Sequence, residues 1–323
     1  MKRQNSLNPM KMNKALTYLI IFFALSSCYR VEDKIEPKIS CPLKENHVKN
    51  LKNPFKHLSI EERKTDWGKE FIIAKKFAKD LDLYQAITNF KRANILLDEE
   101  NVYRGQEIEY NIILSYYLAQ KYEDVIESFE KSSLCYVDKS FEAFEDLLII
   151  LYESYREMQD EEKTQKTLEL LSGSYSETEK KIALSSLLIE GDIETLKEEY
   201  PEKKNIQNMI KVYERDKKSV KTAQLLNTFI PGSGYLYIGQ KKSAATAFLL
   251  NGLFIYASYE FFHHGWTAAG VITASFEAGW YFGGIYGAGQ EANFYNERIY
   301  ERLATPILNK EKLFPIFFIK YGF

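Results

Sequence analysis

Cysteine and histidine are nearly missing from this chain: 323 residues hold three Cys (Cys28, Cys41, Cys135) and four His (His47, His57, His263, His264). So few ligands exclude a multi-cysteine zinc site and a disulfide scaffold. An excess of one charge is missing too. The 43 Lys+Arg against 45 Asp+Glu leave a formal net charge of -2, without the basic surplus that nucleic-acid binding requires. The chain also lacks Gly-x-Ser-x-Gly, the phosphate-binding Gly-x-x-x-x-Gly-Lys and His-Glu-x-x-His. Adjacent His263 and His264 point about 100° apart on a helix, and with Glu260 they have no further ligand nearby. Paired carboxylates such as Glu161 and Glu162 fall on a solvated helical face. No catalytic residue, cofactor or metal site is expected, and the reading is not that of an enzyme.

What is present is a core-forming composition, 45% hydrophobic and 15% aromatic, arranged in three charge blocks. Residues 1–60 hold 11 basic and 4 acidic side chains, residues 61–200 hold 18 and 32, and residues 201–323 hold 14 and 9. Three differently charged blocks predict three environments.

The first block opens with Lys2, Arg3, Lys11 and Lys14, followed by the uncharged apolar run 15–25 and by Ser26-Ser27-Cys28. A basic segment, a short apolar segment and small residues form a secretory signal, too short for a comfortable membrane span. Leu25-Ser26-Ser27-Cys28 resembles the lipobox of bacterial lipoproteins. That resemblance implies cleavage before Cys28 and lipidation of its thiol. Residues 29–60, with Pro37, Pro42 and Pro54 among many Lys, then read as an extended, solvated tether. Cys135, at the end of an apolar helix face, is expected to be a buried thiol.

Between residues 66 and 200 there is no proline and little glycine, and Leu, Ile, Tyr and Phe recur at helical spacing. Ala86, Phe90 and Ala93 have counterparts in Val125, Phe129 and Ser132, and again in Thr164, Leu168 and Leu171, at a step of 39 residues. Helices over 71–80, 107–119 and 144–158 precede these, and 176–200 forms a shorter fourth pair broken at Gly191-Asp192. Helix pairs with small, aromatic and small residues at this spacing resemble tetratricopeptide repeats. The period differs from that family's 34, and its usual early aromatic falls on Glu70 and Glu109. The resemblance implies an α-solenoid whose concave face binds protein partners through Phe71, Lys75, Tyr110, Leu114, Tyr117, Ile149, Glu153 and Arg156, as exposed aromatics beside fixed charges.

Beyond a basic helix over 201–226, the run Pro231-Gly232-Ser233-Gly234-Tyr235-Leu236-Tyr237-Ile238-Gly239 precedes two uncharged stretches. One covers residues 243–259, and the other covers 265–289 with Glu277 as its only charge. Their lengths predict a two-helix transmembrane hairpin over 227–300. The glycine run resembles the small bacterial membrane domains of the TM2, or Pro-Gly-turn, type, which implies an integral membrane module with no chemistry attached. Gly279, Gly283 and Gly287 recur every fourth residue, which suits close helix packing and self-association. With His264 at the apex, Asn251 and Glu277 reach the same depth, and a hydrogen bond between them is expected.

These expectations define an all-α chain, a tetratricopeptide-like α-solenoid (61–200) followed by the hairpin and a tail over 301–323. The function they imply is a lipid-anchored scaffold or adaptor of the bacterial cell envelope, with the repeats outside the cytoplasm. The alternative is a channel or transporter subunit in which Glu277 acts directly. Export by the signal outweighs the basic flanks Lys241, Lys242, Arg298 and Arg302, because long domains translocate largely regardless of charge.

Overall fold

The fold is that of a computed structural model, which describes Val31, residues 34–40 and residues 45–323. Cys28 with its lipobox, and Cys41, lie outside the described residues. The architecture is all-α: among the described residues 74% are helical and no strand occurs. It divides into two compact units. One comprises residues 38–209 and 303–323, the other residues 1–37 and 210–302.

The first unit is built from helix pairs. They are α1 (Glu45–Lys49), α2 (Asp66–Lys79), α3 (Leu83–Leu96), α4 (Val102–Leu118), α5 (Tyr122–Glu130), α6 (Phe144–Glu157), α7 (Glu161–Ser172), α8 (Ser176–Glu190) and α9 (Ile193–Glu199). The 39-residue period has a backbone counterpart. Leu81, Gln120 and Gln159, at that interval, adopt left-handed φ values of 64°, 57° and 59°, and Gly191 closes the fourth pair at 74°. One left-handed residue reverses the chain without a longer loop. The next residue then caps the following helix, as Asp82, Asp160 and Asp192 do by accepting the backbone N–H of Gln85, Lys163 and Thr195. Small residues permit close approach within a pair: Ala74, Ala78, Ala86 and Ala93 are fully buried around Phe90.

Residues 45–60 are not a solvated tether. Val48 and Phe55 are buried, and the Phe55 ring lies 5.7 Å from Tyr110 and 5.6 Å from Phe141. Arg104, itself 5% exposed, fastens the segment. Its guanidinium donates to Glu62 Oε1 at 2.8 Å, to Glu107 Oε2 at 2.5 Å and to the carbonyls of Lys56 and His57. The apolar residues dispersed among the lysines dominate over the local charge. Cys135 is exposed rather than buried. A 3-10 turn (Ser133–Tyr136) follows α5 and turns Leu134 inward in its place.

The second unit contains α10 (Lys204–Asp216), whose last seven residues fall within it, and α11 (Val220–Phe229), α12 (Ser233–Ile238), α13 (Lys241–His263) and most of α14 (Thr267–Lys310). The single basic helix expected over 201–226 is two helices. Asn296 holds the break, accepting the Lys218 N–H at 2.7 Å and donating to the Lys218 carbonyl at 2.8 Å. Val31, Val220, Ala223, Ile238 and Ala292 form a small core with Tyr237 and Tyr295 against it. The Pro-Gly turn is sterically fixed. Gly232 has φ 91°, and a Cβ at Gly234 would lie 2.3 Å from the Ala223 carbonyl oxygen.

Two uncharged helical stretches do follow this turn, but they do not meet the expectation of a bilayer-crossing pair. Among the described residues, no helix is long and apolar enough to cross a membrane. Asn251 and Glu277, with the many Gly, Ser and Tyr residues, dilute both stretches.

Candidate functional site

The first unit holds an unexpected occupant. After α14, residues 313–323, which include a 3-10 turn (Pro315–Phe317), return to the helix pairs. Phe314, Ile316, Ile319 and Phe323 are all buried. The Phe323 ring stacks on Phe90 at 6.3 Å, and Phe317 meets His47 edge-on at 5.2 Å. The residues expected to be a free tail are therefore part of the fold, because six of these eleven side chains are Leu, Ile or Phe buried against it.

Asp146, in the first turn of α6, holds the segment's backbone. Its Oδ2 accepts the consecutive N–H groups of Lys320 at 3.0 Å and Tyr321 at 2.7 Å, and the Tyr110 hydroxyl donates to it at 3.4 Å. Its Oδ1 is buried without a partner, and burial pushes the carboxyl from 3.8 up to about 7. Beside it, Glu145 accepts from Lys320 Nζ at 2.5 Å and from the Thr178 hydroxyl at 2.7 Å. Opposite, the Lys52 carbonyl accepts the Gly322 N–H at 3.0 Å, and Lys52 pairs with Tyr321 in an isolated parallel bridge. An added Cβ on Gly322 would lie 2.7 Å from Leu51 Cβ. Residues 320–323 are thus bound as an extended peptide is bound, backbone first and side chains in separate places.

The residues assigned to partner binding divide into two sets. Tyr117, Glu153 and Arg156 line a cavity of about 260 Å³, with Tyr122, Ile189, Pro315 and Ile316 among its other walls. Arg156 donates to Glu153 at 2.9 Å and to Ser186 Oγ at 3.2 Å. Burial raises the Glu153 carboxyl to about 7 even beside that guanidinium.

None of the eight is the exposed side chain that the repeat register predicted: Tyr117 and Glu153 are buried where they border the cavity, and Arg156 is half-buried. Tyr110, Leu114 and Ile149 are fully buried. Phe71 packs on Phe90 at 5.7 Å. Lys75 is largely buried over the Phe71 ring, with its amine 4.0 Å from Glu107 and without a hydrogen-bond partner. Burial lowers that amine from 10.5 to about 8. Sequence reasoning missed Asp146 and Glu145, whose local sequence is that of an acidic first turn, and it missed the segment they hold. The signal present was the density of apolar residues over 313–323.

In the second unit the expected hydrogen bond between Asn251 and Glu277 does not form. The Asn251 amide donates to the Ala247 carbonyl one turn earlier at 2.6 Å, and Thr273 does likewise to Ala269. Asn251 Oδ1 and Glu277 Oε2 are both buried without partners. The glycine stripe is also used differently. Gly287 abuts the Tyr235 hydroxyl, but nothing lies within 4 Å of a Cβ built on Gly279 or Gly283. These two border an open cleft of about 850 Å³ with Thr246, Phe276 and Trp280. No group of three or more His, Cys, Asp or Glu among the described residues is placed to hold a metal ion.

Comparison with protein families, curated proteins and solved structures gave no match.

Proposed function

We propose that this chain is a scaffold or adaptor of the bacterial cell envelope, a tetratricopeptide-like array that binds other proteins through the groove now holding residues 313–323. The observation that carries the reading is the seating of those residues. A buried carboxylate takes two successive backbone N–H groups, and separate places receive Lys320, Gly322 and Phe323. This is recognition of an extended chain, which a repeat groove offers to a partner.

On this reading Cys28 carries the lipid anchor, and the repeats face away from the cytoplasm. The second unit lies against lipid by its surface. Phe248, Leu253, Ile255, Phe276 and Trp280 are each half exposed or more, and large apolar side chains turned outward in that number call for a cover. Gly279 and Gly283, open on their outer side, leave room for a second copy to pack.

A photo-crosslinking amino acid at Tyr117, in cells expressing the full chain, tests the adaptor reading. Discrete adducts with another protein in the membrane fraction are expected, and they should be lost on Asp146→Lys. Adducts confined to the chain's own residues 313–323 would sink the reading. Loss of fatty-acid labelling in Cys28→Ala is the companion expectation for the anchor, and unchanged labelling removes it.

A further inference from the structure

We infer that residues 313–323 are a cis ligand, and that the groove's partner is an extended, aromatic-rich peptide of the same chemistry that must displace them. The inference rests on the adaptor reading and specifies its regulation. Three observations carry it.

First, beside the buried apolar side chains of residues 313–319, the end of the segment is fixed by main-chain contacts. Lys320, Tyr321 and Gly322 present successive N–H groups to Asp146 and to the Lys52 carbonyl. Any extended peptide offers the same groups, so the site does not depend on these residues being joined to α14.

Second, the acceptor is costly as a permanent core element. Asp146 is fully buried, and its Oδ1 has no partner. A packing role would be better served by an apolar side chain of similar volume, because a half-satisfied buried carboxylate costs more than it returns. A ligand-binding role needs that acceptor each time the groove is refilled.

Third, the segment does not fill its end of the groove. The cavity of about 260 Å³ stays open between Pro315, Ile316 and the ion pair of Glu153 and Arg156. A partner carrying a larger side chain there, able to hydrogen-bond to that pair, gains contacts that the cis segment lacks.

The side chains define the partner's chemistry. It has an aromatic ring to lie on Phe90, a residue without a side chain just before it, and a cation two positions earlier to meet Glu145. Tethering gives the cis segment a high effective concentration, so free peptide binds only through the small fraction of chains in which the segment is released. Weakening the cis contacts raises that fraction without altering the groove.

The experiment uses the full chain and a fluorescent, end-blocked peptide of residues 313–323. A second full chain carries K320E and F323A, which reverse the charge facing Glu145 and remove the ring from Phe90. Helicity by circular dichroism checks that the variant keeps its fold. The peptide should bind the variant chain at least tenfold tighter than the wild type. A peptide bearing the same two substitutions should bind neither. Equal affinity for the two chains, or no binding to a folded variant, overturns the inference.

The adaptor reading fails separately. If the variant takes the peptide but the Tyr117 probe yields no adducts with other proteins in cells, cis occupancy stands and the adaptor function falls. If such adducts form at equal yield with both chains while peptide affinity is also equal, the adaptor function stands and cis occupancy falls.

Discussion

Replacing Asp146 by Asn removes a charge while keeping an oxygen for the two N–H groups of Lys320 and Tyr321. Burial raises the native carboxyl from 3.8 to about 7, despite the hydrogen bonds from Tyr321 and Lys320 that lower it. Between these values the native chain holds a proton that the unfolded chain has released. The contribution is complete below about pH 4, is lost as pH rises toward 7, and is constant above that. The slope is about 1.4 kcal/mol per pH unit, and on the order of 4 kcal/mol accumulates across the interval.

Glu153, also raised to about 7 by burial, adds a slope of the same sign. Two other shifted groups titrate outside this window. Arg104 holds Glu62 down at about 2, and Lys75 loses its proton near 8. Glu107, Glu109 and Glu277 are also raised by burial and add to the fall in both proteins. Between pH 4.5 and 7 the wild type should therefore lose stability more steeply than Asp146→Asn by about 1.4 kcal/mol per pH unit. The new amide nitrogen enters a place where Oδ1 has no partner, which costs about 1–3 kcal/mol and offsets part of the gain above pH 7. Urea unfolding at several pH values, followed by fluorescence of the buried Trp67 after Trp266→Phe and Trp280→Phe, measures the slope. Parallel slopes for the two proteins would show that Asp146 is ionised in the native state, and would refute the reasoning.

Gln159→Gly should raise stability by up to about 1 kcal/mol, because φ 59° strains a side-chain-bearing residue, and a lowered melting temperature would contradict this. Gly234→Ala should destabilise the second unit by about 1–3 kcal/mol, since its Cβ would meet the Ala223 oxygen at 2.3 Å and Ala288 Cβ at 2.9 Å. Gly279→Ala, inside a helix with nothing within 4 Å, should instead hold or raise stability, by up to about 1 kcal/mol, and equal melting of both variants would count against the packing described. Arg104→Met leaves Glu107 buried with only the Lys75 amine 4.0 Å away and takes the partner from Glu62, and should cost up to about 3–5 kcal/mol. It should also expose residues 56–62 to proteolysis, and an unchanged cleavage rate would show that Arg104 does not fasten them.

The helices were legible because each carries its own periodicity, and the 39-residue step was visible in Ala86, Val125 and Thr164. The left-handed residues Leu81, Gln120 and Gln159 follow the same step, but nothing about Leu or Gln announces that backbone. The groove was legible only as a register. Carried onto this chain, it predicted exposed side chains where Tyr110, Leu114 and Ile149 are fully buried and where Tyr117 and Glu153, though they border a cavity with Arg156, are buried as well. Asp146 could not be told from Glu161 by its neighbours. What separates them is burial, and burial here comes from residues more than 170 positions away. Residues 313–323 are rich in Phe and Ile but have neither a helical nor a strand period, and pattern reading passes over such a segment.

The second unit shows why apolar length and apolar surface are different quantities. Averaged along the helix, Asn251, Glu277 and the glycines keep α13 and α14 below what a bilayer span requires. Averaged around it, the result reverses. Asn251 is turned inward and satisfied in part by its own helix, while Leu249, Leu253, Phe276 and Trp280 are turned out, each half exposed or more. A helix that hides its polar residues and presents its apolar ones has the pattern of a soluble helix inverted. The inversion extends to Glu277, whose Oε2 is buried without a partner. Solvent covers such a surface at a cost that grows with its area, whereas lipid or a second apolar surface covers it at none. Attachment by a face therefore needs no uninterrupted apolar run, and the polar residues that weaken a spanning helix are compatible with one that lies against lipid.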